Sequence, residues 1–575
     1  MQEKRWIVAE PISEEIKQQF PEIHPVVLQL LWNRGIRTQE EIDVYIGPDW
    51  SRDTYSHALF LNMEKAVSRT FQALERGENI TVHGDYDADG VCGSTVLIST
   101  LREICRQLGF DEHKIDSYIP HREKEGYGMS VETIEHLKNH KQTTLVITVD
   151  CGISNKPAVD RGKELGVDTI ICDHHTMPAE LPDQAILIHP LVPGETYPNK
   201  KLCGTGVAFK LACGLIEEAR KRGADMPEGY EKWLLDLVAI ATVTDVVPLQ
   251  GENRTLEHFG LTVLNKTRRI GLQRLIEVAG GTLGKLDITS IGFLIGPRIN
   301  AAGRMSHAQD ALNLLLSEDE MEASMFAIQL QEINIERQKA SQAMYLQAKK
   351  QVDEGAKLIV VVGEGWSAGL VGLVAGKLVT DYHRPVYAVG KIDDHYVGSG
   401  RSIGGFDVTA ALRHAGEHLD KFGGHPEACG FSVTGSDRFE SAVAMLHEFA
   451  NASIQDDASL PTLKSDVDIQ LEEITWELFA QLDQCRPFGQ GNPSPIFTSR
   501  NVRVQSMKSV GNGAQHLKLT LRSRTGKMMP GIGFNLGGFL ETLSLGKEVD
   551  IAYEIDVNEW NGSRELQVRL VDIKL

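Results

Sequence analysis

Residues 79–90 read NITVHGDYDADG: a β-branched apolar run ends abruptly in Asp85, Asp87 and Asp89, two positions apart, and a helix-patterned stretch, GSTVLISTLREICRQLG, follows. A strand that passes into a helix through acidic residues puts them at its carboxyl end, where open α/β sheets bind ligands. On a continuing strand the three carboxylates would share one face and repel one another unless cations neutralised them. Taken alone, the triplet also reads as an acidic turn in which an aspartate caps the helix.

Outward from this stretch the pattern repeats. Short apolar runs, IDSYI (115–119), TLVITV (144–149), DTIIC (168–172) and AILIH (185–189), alternate with amphipathic segments, the mark of a parallel sheet covered by helices. TLVITV leads into Asp150, and DTIIC into Asp173, His174 and His175. Three strand ends thus aim acidic and imidazole groups into one crevice, and the helical stretch WLLDLVAIATVTDVVPL delivers Asp245 just before Pro248. Mixed oxygen and nitrogen donors suit Mn²⁺, with Mg²⁺ as a substitute at the more oxygen-rich position. Two such ions ~3.5–4 Å apart, sharing a carboxylate, clamp a phosphoryl group and stabilise a leaving oxygen. That chemistry is hydrolysis of a phosphate ester.

The rest of the chain sets this centre among several domains, as its 575 residues suggest. Residues 1–75 read as a helical segment in which Thr38 caps a helix starting near Glu40. The catalytic α/β domain is expected over 76–295, and a motif-bearing segment with a long polar helical connector over 296–355. A second α/β domain follows over 356–455, with glycine-rich turns at GSGRSIGGFD and FGGHPEACGF. Four alternating runs, VRVQSMKSV, QHLKLTLRS, VDIAYEIDVNEW and ELQVRLVDIKL, give 460–575 the look of a small OB-like β-barrel, a platform for single strands.

Composition narrows the class of function. A net charge of −20 argues against coating duplex DNA with a broad basic surface, yet allows a local basic channel. Such an excess occurs at Lys508, Lys518, Arg522, Arg524 and Lys527, which also reads as a solubilising surface. The eight cysteines include no Cys-x-x-Cys pair, so reduced thiols are expected. With no secretory pattern and no apolar run near ~20 residues, the expectation is a soluble cytoplasmic protein.

HGDYDADG, ITVDCGIS, CDHH and TVTDVVPL resemble four successive motifs of the DHH phosphoesterase superfamily. GPRINAAGRM, GSGRSI, KFGGHPEACGF and RPFGQGNPSPIF, in the same order, resemble the RecJ family within it, so the likeness runs from about Thr81 to the end. The resemblance implies a parallel-sheet DHH domain joined by a long helix to a second α/β (DHHA1) domain, plus the C-terminal OB-like barrel. It implies a 5′-to-3′ exonuclease on single-stranded DNA, a monomer with two Mn²⁺ or Mg²⁺ ions, working in recombination and repair beside a single-strand-binding protein and a helicase. Asp87, Asp89, Asp150, His174 and Asp245 match metal ligands, with Asp150 as the bridge; His175 matches a donor to the scissile phosphate and Asp85 a ligand or its neighbour. Arg122, Arg304, Ser399 and Arg401 match a pocket for the 5′ phosphate, and His425 lies in the glycine-rich motif as a further donor.

Some positions keep two readings. His83 is a ligand or a satisfied strand-end histidine, and Tyr127 stacks on a base or anchors a loop. Cys151 and Cys172 read as buried, inert thiols outside the site. Rival functions are hydrolysis of short oligoribonucleotides or cyclic dinucleotides, a family II pyrophosphatase, and a catalytically dead scaffold. The terminal β unit opposes the first two, and the clustered carboxylates oppose the last.

Overall fold

The computed structural model describes residues 4–454, 461–560 and 562–575. The chain divides into two compact units, Met1–Asp53 with Leu460–Leu575, and Thr54–Ser459. The first strand, β1 (Arg5–Val8), belongs to the former.

In the Thr54–Ser459 unit, β2 (Asn79–Gly84), β3 (Ile115–Tyr118), β4 (Thr143–Val149), β5 (Asp168–Cys172) and β6 (Ile186–Ile188) are the five runs read from the sequence. They form one all-parallel sheet ordered β3-β2-β4-β5-β6. Helices cover it, which is why β2, β4 and β5 are buried almost throughout and read as continuous apolar runs. Because β3 lies on one side of β2 and β4 on the other, the chain reverses direction across the sheet at β2/β4, the place where such sheets open a crevice.

A second sheet in this unit, ordered β10-β11-β9-β8-β7, contains β7 (Ile359–Glu364), β8 (Val386–Ile392), β9 (His395–Arg401), β10 (Lys421–His425) and β11 (Ala428–Thr434). Only β7 and β8 run parallel, linked by the helix Ala368–Tyr382. The glycine-rich stretches expected as turns are largely strand here: GSGR ends β9 and KFGGH is β10. Their glycines admit close neighbours, as at Gly400, where a Cβ would meet Cys429 Sγ at 2.6 Å. The expected connector is likewise split. Gly296–Met305, Gln309–Leu316 and the 30-residue Glu320–Lys349 are separate helices, and Asp319 caps the last by accepting from the amides of Met321 and Glu322.

In the other unit, β1 pairs in parallel with β12 (Thr462–Ser465), and the short β13 (Val467–Asp468) with β14 (Phe497–Val510). β14 also pairs with β15 (His516–Arg522) and β17 (Glu548–Trp560), while β16 (Met528–Gly533) and β18 (Ser563–Lys574) complete a closed five-stranded barrel. Register shifts between Ser499 and Val502 and between Val504 and Ser506 let one long strand bend to serve two partners. β16, with Pro530 and two glycines, lacks strand propensity and has no counterpart in the sequence reading.

The first helices pack into the barrel rather than standing apart. Val26, Val27, Leu30, Leu31 and Ile42 share a core with Leu517, Leu519, Leu521 and Ile551. Thr38 caps Gln39–Ile46 in a reciprocal box with Glu41. Residues 1–75 are therefore no separate helical preface: up to Asp53 they belong to the barrel unit, and Met63–Arg76 to the other. The junction expected near residue 460 lies outside the described residues. No described helix is long and apolar enough to cross a membrane.

Gly303 lets Gly296–Met305 press on the loop after β2: a Cβ there would lie 2.1 Å from the Tyr86 carbonyl oxygen. Gly303→Ala is expected to destabilise the fold by about 1–3 kcal/mol, the range for overpacking. Denaturant unfolding checks it, and an unchanged midpoint would contradict this close approach.

Candidate metal centre

Three loop acids are tied in a staircase along the sheet edge. The amide of Asp85 donates to the last carbonyl of β4 (Val149, 3.2 Å), that of Asp150 to the last of β5 (Cys172, 2.9 Å), and that of Asp173 to the last of β6 (Ile188, 3.3 Å). Each acid thus extends the pairing of its strand by one residue, which sets the three side by side at strand spacing. Asp150 takes a left-handed backbone (φ 60°), a conformation a non-glycine residue rarely holds outside functional sites.

Asp85, Asp87 and Asp89 do not share one strand face as a continuing strand would place them. The strand stops at Gly84; Asp87 caps the helix Ala88–Leu108, accepting from the amides of Asp89 and Gly90, and Asp89 sits in its first turn. The helix-capping reading of the triplet holds, and the capping aspartate also faces Asp85 and Asp150. Asp89 is gripped by a second helix: the amides of Gly204 and Thr205, at the start of Gly204–Lys221, donate to its two carboxylate oxygens at 2.7 Å each.

Among the described residues, three overlapping triads have ligand atoms within 4.8 Å of one another: Asp85, Asp87 and Asp150; Asp150, His174 and His175; and Asp89, His174 and Asp245. Asp150 and His174 each belong to two. Asp245 caps the end of Leu235–Thr244, and the β-branched Val246 after it holds a positive φ of 58°.

The donor set fits cations. His174 Nε2 lies 3.1 Å from Asp150 Oδ1 and 3.7 Å from both Asp89 Oδ2 and Asp245 Oδ2. Yet buried His174 Nε2, Asp150 Oδ1 and Asp85 Oδ1 make no hydrogen bond. Buried polar atoms that converge without hydrogen-bond partners are arranged for a positive ion. Burial, and then neighbouring aspartates, push Asp85 and Asp150 well above the usual carboxylate range and Asp245 up to about 9. Burial and then Asp89 also raise Asp87, and burial pulls His174 down, which leaves its ring neutral to ligate.

Asp173 holds rather than ligates. Its Oδ1 accepts from the amides of His174 and His175 and lies 2.8 Å from His175 Nδ1, while Oδ2 accepts from the Ile153 amide. Burial opposes its charge, but these bonds keep it far below the usual range. Burial likewise opposes the charged form of His175, and Asp173 overrides it, raising the imidazole to about 9. The Tyr127 hydroxyl donates to the Asp150 carbonyl and lies 3.0 Å from His175 Nδ1, so Tyr127 anchors this loop while remaining 44% exposed. His189, just past β6, donates to the His175 carbonyl at 3.0 Å. Its role was legible only as the last residue of AILIH.

His83 is fully buried, stacks on Tyr118, and has an unpartnered Nε2, but it joins none of the three triads. Cys151 Sγ sits 3.6 Å from His83 Nδ1; it and Cys172 are buried, and all eight cysteines are free.

Of the residues expected to hold the 5′ phosphate, Arg122 lies in the field of Asp85 and Arg304 in that of Asp87. Arg122 lies over the Tyr86 ring at 4.7 Å, and Arg304 donates to the Gly369 carbonyl at 2.9 Å, reaching the second sheet's helix. Arg401 Nη1 donates to Ser399 Oγ at 2.8 Å, and a Cβ on Gly372 would lie 2.8 Å from Arg401 Nη2. Among the described residues none of these arginines has an ion-pair partner. Burial, then the neighbouring Arg122, pulls Arg304 down to about 10. In the sheet register Arg401 faces Ala428, which faces His425, so Ser399, Arg401 and His425 share one face. The His425 side chain is exposed. In the barrel, Lys508 and Lys518 are exposed cross-strand partners and Arg522 and Arg524 are exposed. Lys527 instead donates to the carbonyls of Glu472 and Ile474.

Without ions the folded cluster binds protons that the unfolded chain lacks between the carboxylate range and about 9, so ion-free stability falls as pH rises through that window. Mn²⁺ displaces those protons, and its affinity rises over the same window. The melting-temperature gain on adding Mn²⁺ is expected to grow from about pH 6 to about pH 9; a pH-independent gain would contradict the protonated cluster.

Comparison with known proteins accounts for all three folded modules. Residues 79–242 match the N-terminal domain of the DHH family, 355–452 the DHHA1 domain, and 465–572 the RecJ OB domain. The chain is 36% identical over 575 residues to the single-stranded-DNA-specific exonuclease RecJ of Bacillus subtilis (strain 168), covering 99% of this chain and 70% of the relative. It is 32% identical to that of Escherichia coli (strain K12), covering 96% of each. The crystal structure of RecJ in complex with Mn²⁺ from Thermus thermophilus matches with a TM-score of 0.83 at 30% identity, covering 99% of this chain and 79% of that one. The complex with Mg²⁺ from the same organism matches with a TM-score of 0.77 at 28% identity, covering 99% and 78%. With its motifs, its three modules and its whole described fold in agreement, the chain belongs to the RecJ family of DHH phosphoesterases.

Proposed function

We propose that this chain is a single-stranded-DNA-specific exonuclease that releases mononucleotides from the 5′ end by two-metal-ion hydrolysis, in DNA recombination and repair. One observation carries the reading: a cation-demanding carboxylate cluster and a set of arginines with no acid partner among the described residues lie within one compact unit. The first suits the scissile phosphodiester, the second the charge of a terminal phosphate.

Asp87, Asp89, Asp150, His174 and Asp245 would hold the ions, with Asp150 between them and Asp85 beside the position it shares with Asp87. Bound Mn²⁺ or Mg²⁺ supplies Lewis-acid polarisation of the phosphate and an activated water. His175, kept protonated by Asp173 at neutral pH, donates to a scissile phosphate oxygen. Arg122, Arg304, Ser399 and Arg401 hold the 5′ phosphate, with His425 a further donor on the same sheet face. Water's oxygen bonds to phosphorus, the bond to the first nucleotide's 3′ oxygen breaks, and that oxygen leaves as a hydroxyl. The shortened strand then carries a new 5′ phosphate, so each product is again the preferred substrate.

The barrel's exposed Lys508, Lys518, Arg522 and Arg524 suit the phosphates of a single strand, which favours long substrates over short oligoribonucleotides or cyclic dinucleotides. The buried carboxylates disfavour an inactive scaffold. One unit carries both ligands and arginines, which supports action as a monomer. Cooperation with a helicase and a single-strand-binding protein in the cytoplasm belongs to the same proposal, because paired DNA must be opened before such an enzyme can use it.

With Mn²⁺ and DNA labelled at either end, early mononucleotide release from the 5′ label of single strands only, lost in Asp150→Ala, is the expected result; cleavage of RNA alone would overturn it. Arg401→Ala is expected to lower the preference for 5′-phosphorylated over 5′-hydroxyl ends by about tenfold or more, the scale of a charge-assisted hydrogen bond, with Mn²⁺ binding intact. Unchanged end preference would remove Arg401 from the pocket.

A further inference from the structure

The helix Glu320–Lys349 carries one buried stripe whose character changes along its length. Ala323, Ala327 and Leu330 begin it and Met344 and Ala348 end it, but the middle is Asn334, Arg337 and Ser341. The apolar ends have clear partners. Toward the first sheet's domain, Gln329 donates to Asp310 at 2.9 Å and Gln331 accepts from Arg298 at 2.7 Å. Toward the second, Gln342 accepts from Lys377 at 3.0 Å and Gln347 accepts from Trp366 at 2.9 Å. The polar middle therefore lies between the helix's contacts with the two sheet domains of this unit, on the helix face turned to the protein.

Arg337 stands in that middle, half-buried, at the stripe position three residues after Asn334 and four before Ser341. Its Nε donates to Oδ1 of Asn334, which is 1% exposed, at 3.2 Å. Among the described residues it has no carboxylate partner. A buried asparagine that orients a guanidinium lacking an acid is costly as packing alone. It makes sense where an anion arrives. Arg304, which bridges the same two domains through Gly369, lies within the field of Arg337, and so does Arg298.

We propose that Arg337 is a further strand-positioning residue, one that holds a backbone phosphate of the bound single strand between the two sheet domains, oriented there by Asn334. The inference rests on the proposed exonuclease function. It assigns Arg337 a phosphate separate from the one in the 5′ pocket, so replacing Arg337 weakens strand binding without altering recognition of the 5′ end.

The test uses the full chain with Arg337→Gln, which removes the charge and keeps an N–H donor, and Arg337→Lys, which keeps the charge. For Arg337→Gln, KM for a single-stranded oligonucleotide is expected to rise about tenfold or more, the scale of one charge-assisted hydrogen bond, with kcat nearly unchanged. The slope of log affinity against log salt, measured with Ca²⁺ in place of Mn²⁺, should shrink by ~0.7, the share of one neutralised phosphate on a single strand. Arg337→Lys should restore the slope, and preference for 5′-phosphorylated ends should persist in both variants. A wild-type KM and salt slope in Arg337→Gln would overturn the inference, as would equal weakening in both variants, which marks a structural role. Failure of the wild-type chain to cleave single-stranded DNA would instead overturn the proposed function.

Discussion

Buried carboxylates that face one another cannot all stay charged without a counterion, and the Thr54–Ser459 unit is built around that constraint. Asp85, Asp89 and Asp150 are each less than 5% exposed, and Asp87 and Asp245 complete the same cluster. Desolvating even one such charge costs several kcal/mol, and repulsion among neighbours adds to it. Partial protonation relieves the strain in the absence of ions; divalent cations relieve it fully. The cluster is thus a site whose occupancy stabilises the fold and whose occupant provides the chemistry.

The scaffold answers the constraint with backbone as much as with side chains. Each loop acid's own amide is tied to the end of the neighbouring strand, so spacing within the cluster follows from the spacing of the sheet. Two helix starts converge on Asp89, one carrying it and the other donating two amides to it. Asp173 uses its acceptors on the backbone of the His174–His175 loop and on Nδ1 of His175, and so sets the direction of the His175 ring. Glycines complete the fit: a Cβ on Gly204 would come within 2.6 Å of Asp150 Cβ. Arg122, Arg304 and Arg401 stand on three different segments, and the fold alone brings them near one another.

The parallel sheet was legible because its central strands β2, β4 and β5 are buried almost throughout and read as unbroken apolar runs, each ending in an acid that it positions. The acids and histidines that the fold gathers into the three triads were legible for the same reason. The course of the Asp85–Asp89 segment was not, because a spacing of two fits both a strand and a turn that enters a helix. Strand β16 escaped notice because Pro530 and its glycines carry no strand propensity, and its place comes from pairing with β15 and β18. Residues 4–53 joined the barrel through contacts across more than 400 positions, such as Trp6 Nε1 to Asp572, which no local pattern reports. His189 and Arg337 were hidden differently: each has ordinary neighbours in sequence and acquires meaning only from what the fold sets opposite it.

The most direct test of the central claim is a crystal structure of the Mn²⁺-soaked protein with data collected at the manganese absorption edge. Two anomalous peaks on the strand-end cluster, both within coordinating distance of Asp150 and one of them also at His174, are the expected result. No peak there, or manganese held by residues outside the cluster, would contradict it.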